Sequence, residues 1–221
     1  MLLAEELLLL AYDGESGRQR GFMNLEYLLA GAVLVDLARH GCVDITEKGT
    51  KKRSTRLRVH ADAAPTGDAV LDTAHRKAVK YDGRVPRDAV AGLHRKLART
   101  VRAALTERGV LREEKRAVAG IIPVRRWPAE EPHHEHAIRQ RLHEVLVTGA
   151  DPDERTAALI ALLSAGGMIS RVVDKQHRKA AKRRAGEIAE GDWASEAVRA
   201  ALAAITTAVA AGAAGGAAAG G

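Results

Sequence analysis

A disulfide is excluded at the outset. The chain has one cysteine, Cys42, so it forms no internal bridge and fits a reducing compartment. Between Gly41 and Val43 it reads as a buried structural thiol. Aromatic residues are almost as scarce: one Phe, three Tyr and two Trp in 221 residues. The core must then be built from Leu, Val, Ile and Ala, which favours helices over a sheet sandwich. Catalytic and nucleotide-binding signatures are missing too. The sequence holds no GxxxxGK[ST], GxGxxG, GxSxG or HExxH. Ser54 and Ser164 have no evident base. Asp68 and Asp72, four residues apart, are explained by a helix cap and a surface acid. His133, His134 and His136 form the only histidine cluster, and no Cys or spaced His completes a four-ligand set. They read as solvent-facing residues at a helix start. The expectation is a protein that is not an enzyme, with no cofactor and no metal.

Membrane-spanning runs are also lacking. Leu7 to Leu10 follow Glu5 and Glu6 rather than a cationic segment, so they read as a core helix and not a signal peptide. Ala200 to Gly221 carry no charge, but Ala and Gly are too weakly apolar for a span. That stretch reads as a helix ending near Ala211, after a cap at Asp192, followed by a disordered Ala/Gly tail over 212–221.

What the chain has in excess is positive charge. Lys and Arg number 35 against 28 Asp and Glu, a formal net charge of +7. An anionic partner follows, either lipid headgroups or nucleic acid, and charge alone does not choose. The charge concentrates in a basic helix that runs into a hairpin, Leu93 to Pro128. Leu93, Leu97, Val101, Ala104 and Leu105 fall on one helical stripe. Arg95, Arg99 and Arg102 are spaced to share another face. Gly109 ends the helix, where a left-handed residue costs little in glycine. Then come the apolar run Ala117 to Val124 and the closing Arg125, Arg126 and Trp127. Val118, Ile121 and Ile122 near the hairpin tip, flanked by cations and an indole, suit a membrane interface. Periodicity alone favours their packing on the core.

Elsewhere the pattern is helical. Leu2 to Ala11 forms a first helix. Leu25 to His40 is apolar around most of its circumference, which means burial. Val43 and Ile45, then Leu57 and Val59, mark two short strands around a loop. Five cations, including Lys51, Lys52 and Arg53, lie between Lys51 and Arg58 and make an accessible anion site. Thr66 or Asp68 caps the helix through Val70 and Leu71. Pro132 opens a helix through Leu146. Asp151-Pro152-Asp153-Glu154 reads as cap, proline at the first position and acid at the third. The helix it opens, Ala157 to Leu163, is apolar almost all round and reads as the centre of a bundle. Met168 to Glu190 reads as one longer basic helix. A helix–glycine–strand–turn–strand unit occurs twice, Leu25 to Val59 and Leu93 to Val124. That is the outline of a winged helix, so a nucleic-acid-binding protein is the alternative reading.

Several stretches, in order, resemble the Golgi phosphoprotein 3 family: Glu5 to Leu10, Leu34 to Gly41, Gly49 to Ser54, Ala64 to Asp68 with Leu71-Asp72, Leu105 to Leu111 and Arg155 to Ala165. The resemblance spans Leu2 to Ala211 and implies a mainly α single domain over 1–211, a central four-helix bundle with surrounding helices and short β-hairpins. It implies a peripheral membrane protein that recognises phosphatidylinositol 4-phosphate and uses a hydrophobic hairpin to dip into the bilayer and self-associate. For the hairpin Val110 to Trp127 this moves the reading of Val118, Ile121 and Ile122 towards membrane contact or a homo-oligomer. The family's headgroup pocket is kept at one of four positions. Its tryptophan falls near Gly21 or Phe22, its second-helix arginine on Ala30, and its two basic-helix arginines on Arg95 and Ala98. Arg99, Arg102 and the loop Lys51-Lys52-Arg53 are the substitute phosphate ligands. The Ala-, Arg- and Gly-rich composition points to a bacterial source. The expectation is therefore an anionic-lipid adaptor, cytoplasmic and peripheral on the inner face of the plasma membrane, with its protein partner unknown.

Overall fold

The computed structural model describes residues 1–20, 25–48, 54–118, 122–191 and 203–211. The run LAEELLLLA forms α1 (Leu3–Ala11), and every one of its residues is buried, Glu5 and Glu6 included. Glu5 reaches back one turn to accept the Leu2 N–H at 2.8 Å, which satisfies a donor that the helix itself leaves orphaned. α2 (Leu25–Arg39) is buried from Leu28 to Leu37, as its wide apolar surface requires. The two helices pack together, and α1 also lies against α5 (Leu97–Glu107), α6 (Pro132–Leu146) and α7 (Glu154–Ala165). The centre expected at α7, which is buried from Thr156 to Leu163, is thus shared with α1. A helix over 203–211 closes onto α2. A Cβ added to Gly31 would sit 2.5 Å from a Val209 methyl, so the glycine is what lets the two helices approach.

Two antiparallel hairpins project from this core. β1 (Val43–Lys48) pairs with β2 (Ser54–Val59) in a register running from Val43↔Val59 to Lys48↔Ser54. β3 (Glu114–Val118) pairs with β4 (Ile122–Arg126), from Glu114↔Arg126 to Val118↔Ile122. The architecture is mainly α in a single domain with short hairpins. α3 (Ala69–Ala78) starts at Asp68, whose carboxylate accepts the Val70 and Leu71 N–H groups at 2.8 and 3.1 Å. Asp72 holds Thr66 through its N–H and its hydroxyl, both at 2.8 Å. The pair is structural.

Three expected helices are bounded differently. The helix expected from Leu93 is two: α4 (Pro86–Leu93) ends, Lys96 takes a left-handed φ of 65°, and α5 begins at Leu97. The break lets Leu93 and Leu97 both reach the core while the Ala98 N–H turns to the Glu26 carboxylate at 3.2 Å. The segment 168–190 is also broken. α8 (Ile169–Val172) stops at an extended Val173, and α9 (Arg178–Ala189) restarts so that Ala181, Ala185 and Ile188 are buried. α7 takes its cap from Asp153, which accepts the Thr156 N–H at 2.7 Å, so Pro152 precedes the cap. Asp192 and the tail over 212–221 lie outside the described residues.

Where α1 meets α2, the Leu3 N–H donates to Asp36 at 2.7 Å. Burial pushes the Asp36 carboxyl up to about 6, against the opposing pull of that amide and of Arg155 and Arg39.

Candidate anion-binding cleft

α5 buries Leu97, Ala98, Val101 and Leu105 and turns Arg99, Arg102, Ala103 and Thr106 outward. Arg102 is half-buried. Its guanidinium lies 4.4 Å from the centre of the Trp127 ring and donates to the Tyr12 hydroxyl at 2.7 Å. Tyr12 in turn meets Trp127 edge-on at 5.8 Å. A cation over an indole face gains about 1 kcal/mol and leaves its charge unneutralised. The side chain is therefore fixed in place and still available to an anion.

Trp127 is placed by the loop that follows α1. Its N–H donates to the Gly17 carbonyl at 3.1 Å, and the Ala129 N–H to the Gly14 carbonyl at 2.9 Å. Gly17 has φ of 61°, and a Cβ there would stand 2.4 Å from the Pro128 nitrogen, so no other residue fits without moving the backbone. Asp13 braces the loop from inside. It accepts the Ser16 N–H at 2.9 Å and an Arg20 N–H at 3.0 Å, and these bonds, the Ser16 amide first, hold its carboxyl at about 2.

Three cavities meet at Arg102. One of about 680 Å³ is lined by Arg99, Arg102, Ala103, Thr106, Glu113, Arg125 and Trp127. A second of about 540 Å³, past the indole, adds Tyr12, Gly17, Arg18, Gln19, Val124 and Arg126. A third of about 390 Å³ is lined by Gln19, Leu25, Glu26, Tyr27, His94, Ala98 and Arg102. Arginine dominates the first two. The pair Arg125–Glu113 at 3.3 Å is solvent-exposed on both sides, so it exchanges readily for another anion. Guanidinium forks suit phosphate oxygens geometrically as well as electrostatically.

The third cavity is different. The free N–H groups at the start of α5 are a natural anion site, but the Glu26 carboxylate already occupies the Ala98 N–H. Tyr27 stacks on His94 beside it, centroids 4.5 Å apart. The protein's own acid fills that helix terminus.

The residues singled out in the sequence divide accordingly. Arg99, Arg102, Arg125 and Trp127 come together on one wall. Arg126 lines the adjoining cavity and donates to the Ser16 carbonyl at 3.4 Å. Arg95 does not share the face of Arg99 and Arg102. It lies in the α4–α5 connection, exposed beside Thr73 and Lys77 of α3, because the left-handed Lys96 breaks the helical register. Ala30 is wholly buried in the core. Val118 and Ile122 pair at the end of the β3–β4 ladder. Phe22, Lys51, Lys52, Arg53 and Ile121 lie outside the described residues. Sequence reasoning missed Tyr12, Arg18, Glu26 and Glu113. One signal was there. Of the six aromatic residues, Tyr12, Tyr27 and Trp127 line these cavities, a concentration that so sparse a composition makes informative. Away from the cleft, Glu131 joins His133 and His134 in a cluster of possible metal donors, and His136 is not part of it.

A family model described as Golgi phosphoprotein 3 (GPP34) matches residues 3–205. No curated protein matches the chain.

Proposed function

The chain belongs to the Golgi phosphoprotein 3 family, and from that membership we propose that it is a peripheral membrane adaptor that binds anionic lipid headgroups in the Arg99–Arg102–Arg125–Trp127 cleft. The observation that carries this reading is Arg102 held between the Tyr12 hydroxyl and the Trp127 ring, with two further arginines on the same wall. The hairpin from Val110 to Trp127 is the second contact, through Val118, Ile121 and Ile122 in the bilayer interface or between copies of the chain. Arg95 and the loop Lys51-Lys52-Arg53 supply attraction at longer range, about 1 kcal/mol for each cation near an anionic surface. No described helix is long and apolar enough to cross a membrane, which fits attachment from one side. In a bacterial cell that side is the inner face of the plasma membrane.

The cleft does not select phosphatidylinositol 4-phosphate over other anionic lipids. Alanines stand at two of the family's three arginine positions, Ala30 and Ala98 are buried, and Glu26 fills the start of α5. The test is vesicle co-sedimentation at physiological salt with neutral vesicles, general anionic vesicles and phosphatidylinositol 4-phosphate vesicles of matched charge. The expected result is equal binding to both anionic sets, none to neutral lipid, and loss with Arg99→Glu and Arg125→Glu combined. Unchanged binding by that variant overturns the cleft as the headgroup site. Absence of vesicle binding, with salt-steep binding to duplex DNA, favours the winged-helix reading. Both halves of that outline are present as α2–β1–β2 and α5–β3–β4, but α2 is buried and only α5 could face a groove.

A further inference from the structure

We infer that Glu131, His133 and His134 form a zinc-binding site of three protein ligands, with the remaining position left to water. Glu131 stands at the cap position of α6, yet its carboxylate accepts no backbone N–H of that helix. It turns to the two imidazoles instead. One oxygen, Oε2, lies 2.9 Å from His134 Nε2 and 3.8 Å from His133 Nε2. The two rings lie side by side, centroids 4.1 Å apart. All three donor atoms fall within 4.8 Å of one another.

Those distances suit a tetrahedral ion. Zinc bonds of about 2.0–2.1 Å place neighbouring ligand atoms roughly 3.3–3.4 Å apart along each tetrahedral edge. The two carboxylate–imidazole separations, 2.9 and 3.8 Å, bracket that edge. The third edge, between the two imidazoles, is within 4.8 Å, so side-chain shifts on the order of an ångström admit the ion, and His133 is exposed and free to make them. Nε2 of each ring faces Glu131, and His134 Nε2 donates to that carboxylate in the metal-free protein, so zinc would replace this hydrogen bond with the ring proton moved to Nδ1. Pro132 between the acid and the histidines fixes the intervening backbone. Two imidazoles with one carboxylate select a borderline-soft ion such as zinc over magnesium or calcium. The positive end of α6 opposes a cation, and the single carboxylate offsets that repulsion only in part, so zinc binds more weakly here than in a closed four-ligand site. The site lies on the connection from β4 to α6, which the Leu111↔Ala129 bridge and the Glu130 N–H to the Val110 carbonyl already hold. The ion would add a side-chain clasp to that backbone one.

The test is calorimetric titration of the full chain with zinc, paired with the visible spectrum of the cobalt(II) form. The expected result is one equivalent of zinc and a tetrahedral cobalt band. Glu131→Gln, His133→Ala and His134→Ala should each weaken binding at least about tenfold, while His136→Ala leaves it unchanged. Glu131, His133 and His136 are exposed and His134 is half-buried, and circular dichroism checks that the variants fold. No saturable zinc binding, or binding indifferent to His133 and His134, overturns the site.

Discussion

The two ends of α1 use arginine in opposite ways. At its N-terminal end the carboxylates of Glu5, Glu6 and Asp36 are buried, and each is answered. Arg108 pairs with Glu5, Arg141 and Arg155 both donate to Glu6 at 3.0 Å, and Arg39 lies 3.5 Å from Asp36. At its C-terminal end only Arg20 is spent on acids, Asp13 and Glu135, while Tyr12 holds Arg102 against an indole and, among the described residues, Arg18 and Arg99 have no carboxylate partner. α5 runs alongside and contributes to both ends, Arg108 to the first and Arg102 to the second. A net charge of +7 does not distinguish these arginines. What they face does: a cation facing a buried acid is spent on the fold, and one facing a ring or water is available to a ligand.

The acidic end should break first. Glu6→Ala leaves Arg141 and Arg155 without their shared acceptor, and uncompensated buried charge typically costs about 3–5 kcal/mol. Both guanidiniums are partly exposed, at 35% and 23%, so some of that loss is recovered by water and the lower end of the range is expected. Urea unfolding measures it. A loss under about 1 kcal/mol would mean that these pairs behave like surface ones, and the contrast between the two ends would collapse.

Asp36 sharpens the comparison through pH. Its folded pKa of about 6 stands above the 3.8 of an exposed carboxyl. Between those values the folded state holds a proton that the unfolded state has lost, so the contribution of Asp36 to stability is full below 3.8 and disappears as pH rises through 6. Asp36→Asn removes this dependence while keeping an acceptor for the Leu3 N–H. The unfolding free energy of the variant minus that of the natural protein should rise by about 3 kcal/mol from pH 3.5 to pH 7. A flat difference would show that Asp36 keeps the pKa of an exposed carboxyl in the folded state.

The helices were legible in the sequence, but the buried acid–arginine pairs of α1 were not, and Arg99, Arg102, Arg125 and Trp127 were singled out without the contacts that join them. The apolar runs of α1 and α2, the turn at Gly109 and the Asp68 cap are local signals, and each appears where its residues place it. The common face of Arg95, Arg99 and Arg102 failed because a left-handed lysine has no sequence signature, and one such residue at Lys96 resets the helical phase. The cleft itself depends on contacts across the chain. Gly17 touches the backbone at Trp127 and Pro128, and Glu26 reaches Ala98. Periodicity carries no information about pairings so distant. Glu131 is the opposite case: it stands two and three residues before His133 and His134, a local signal that a reading of the histidines alone passed over.

The smallest expected effect on stability makes the finest test. Arg99 and Arg108 lie on or at the end of the same helix and carry the same charge. Arg99→Gln removes an exposed cation with no described partner, so the unfolding free energy should move by no more than about 0.5 kcal/mol. Its binding to anionic vesicles should weaken by about 1 kcal/mol, roughly fivefold. Arg108→Gln removes the partner of the fully buried Glu5, so it should cost more in stability than Arg99→Gln and less in vesicle binding. Diffuse attraction to a membrane depends only on net charge, and both variants change it by one. Equal losses of binding would therefore mean that the whole basic surface acts as a cloud. Opposite rankings in the two measurements would mean that α5 is divided between holding the fold at Arg108 and meeting the anion at Arg99.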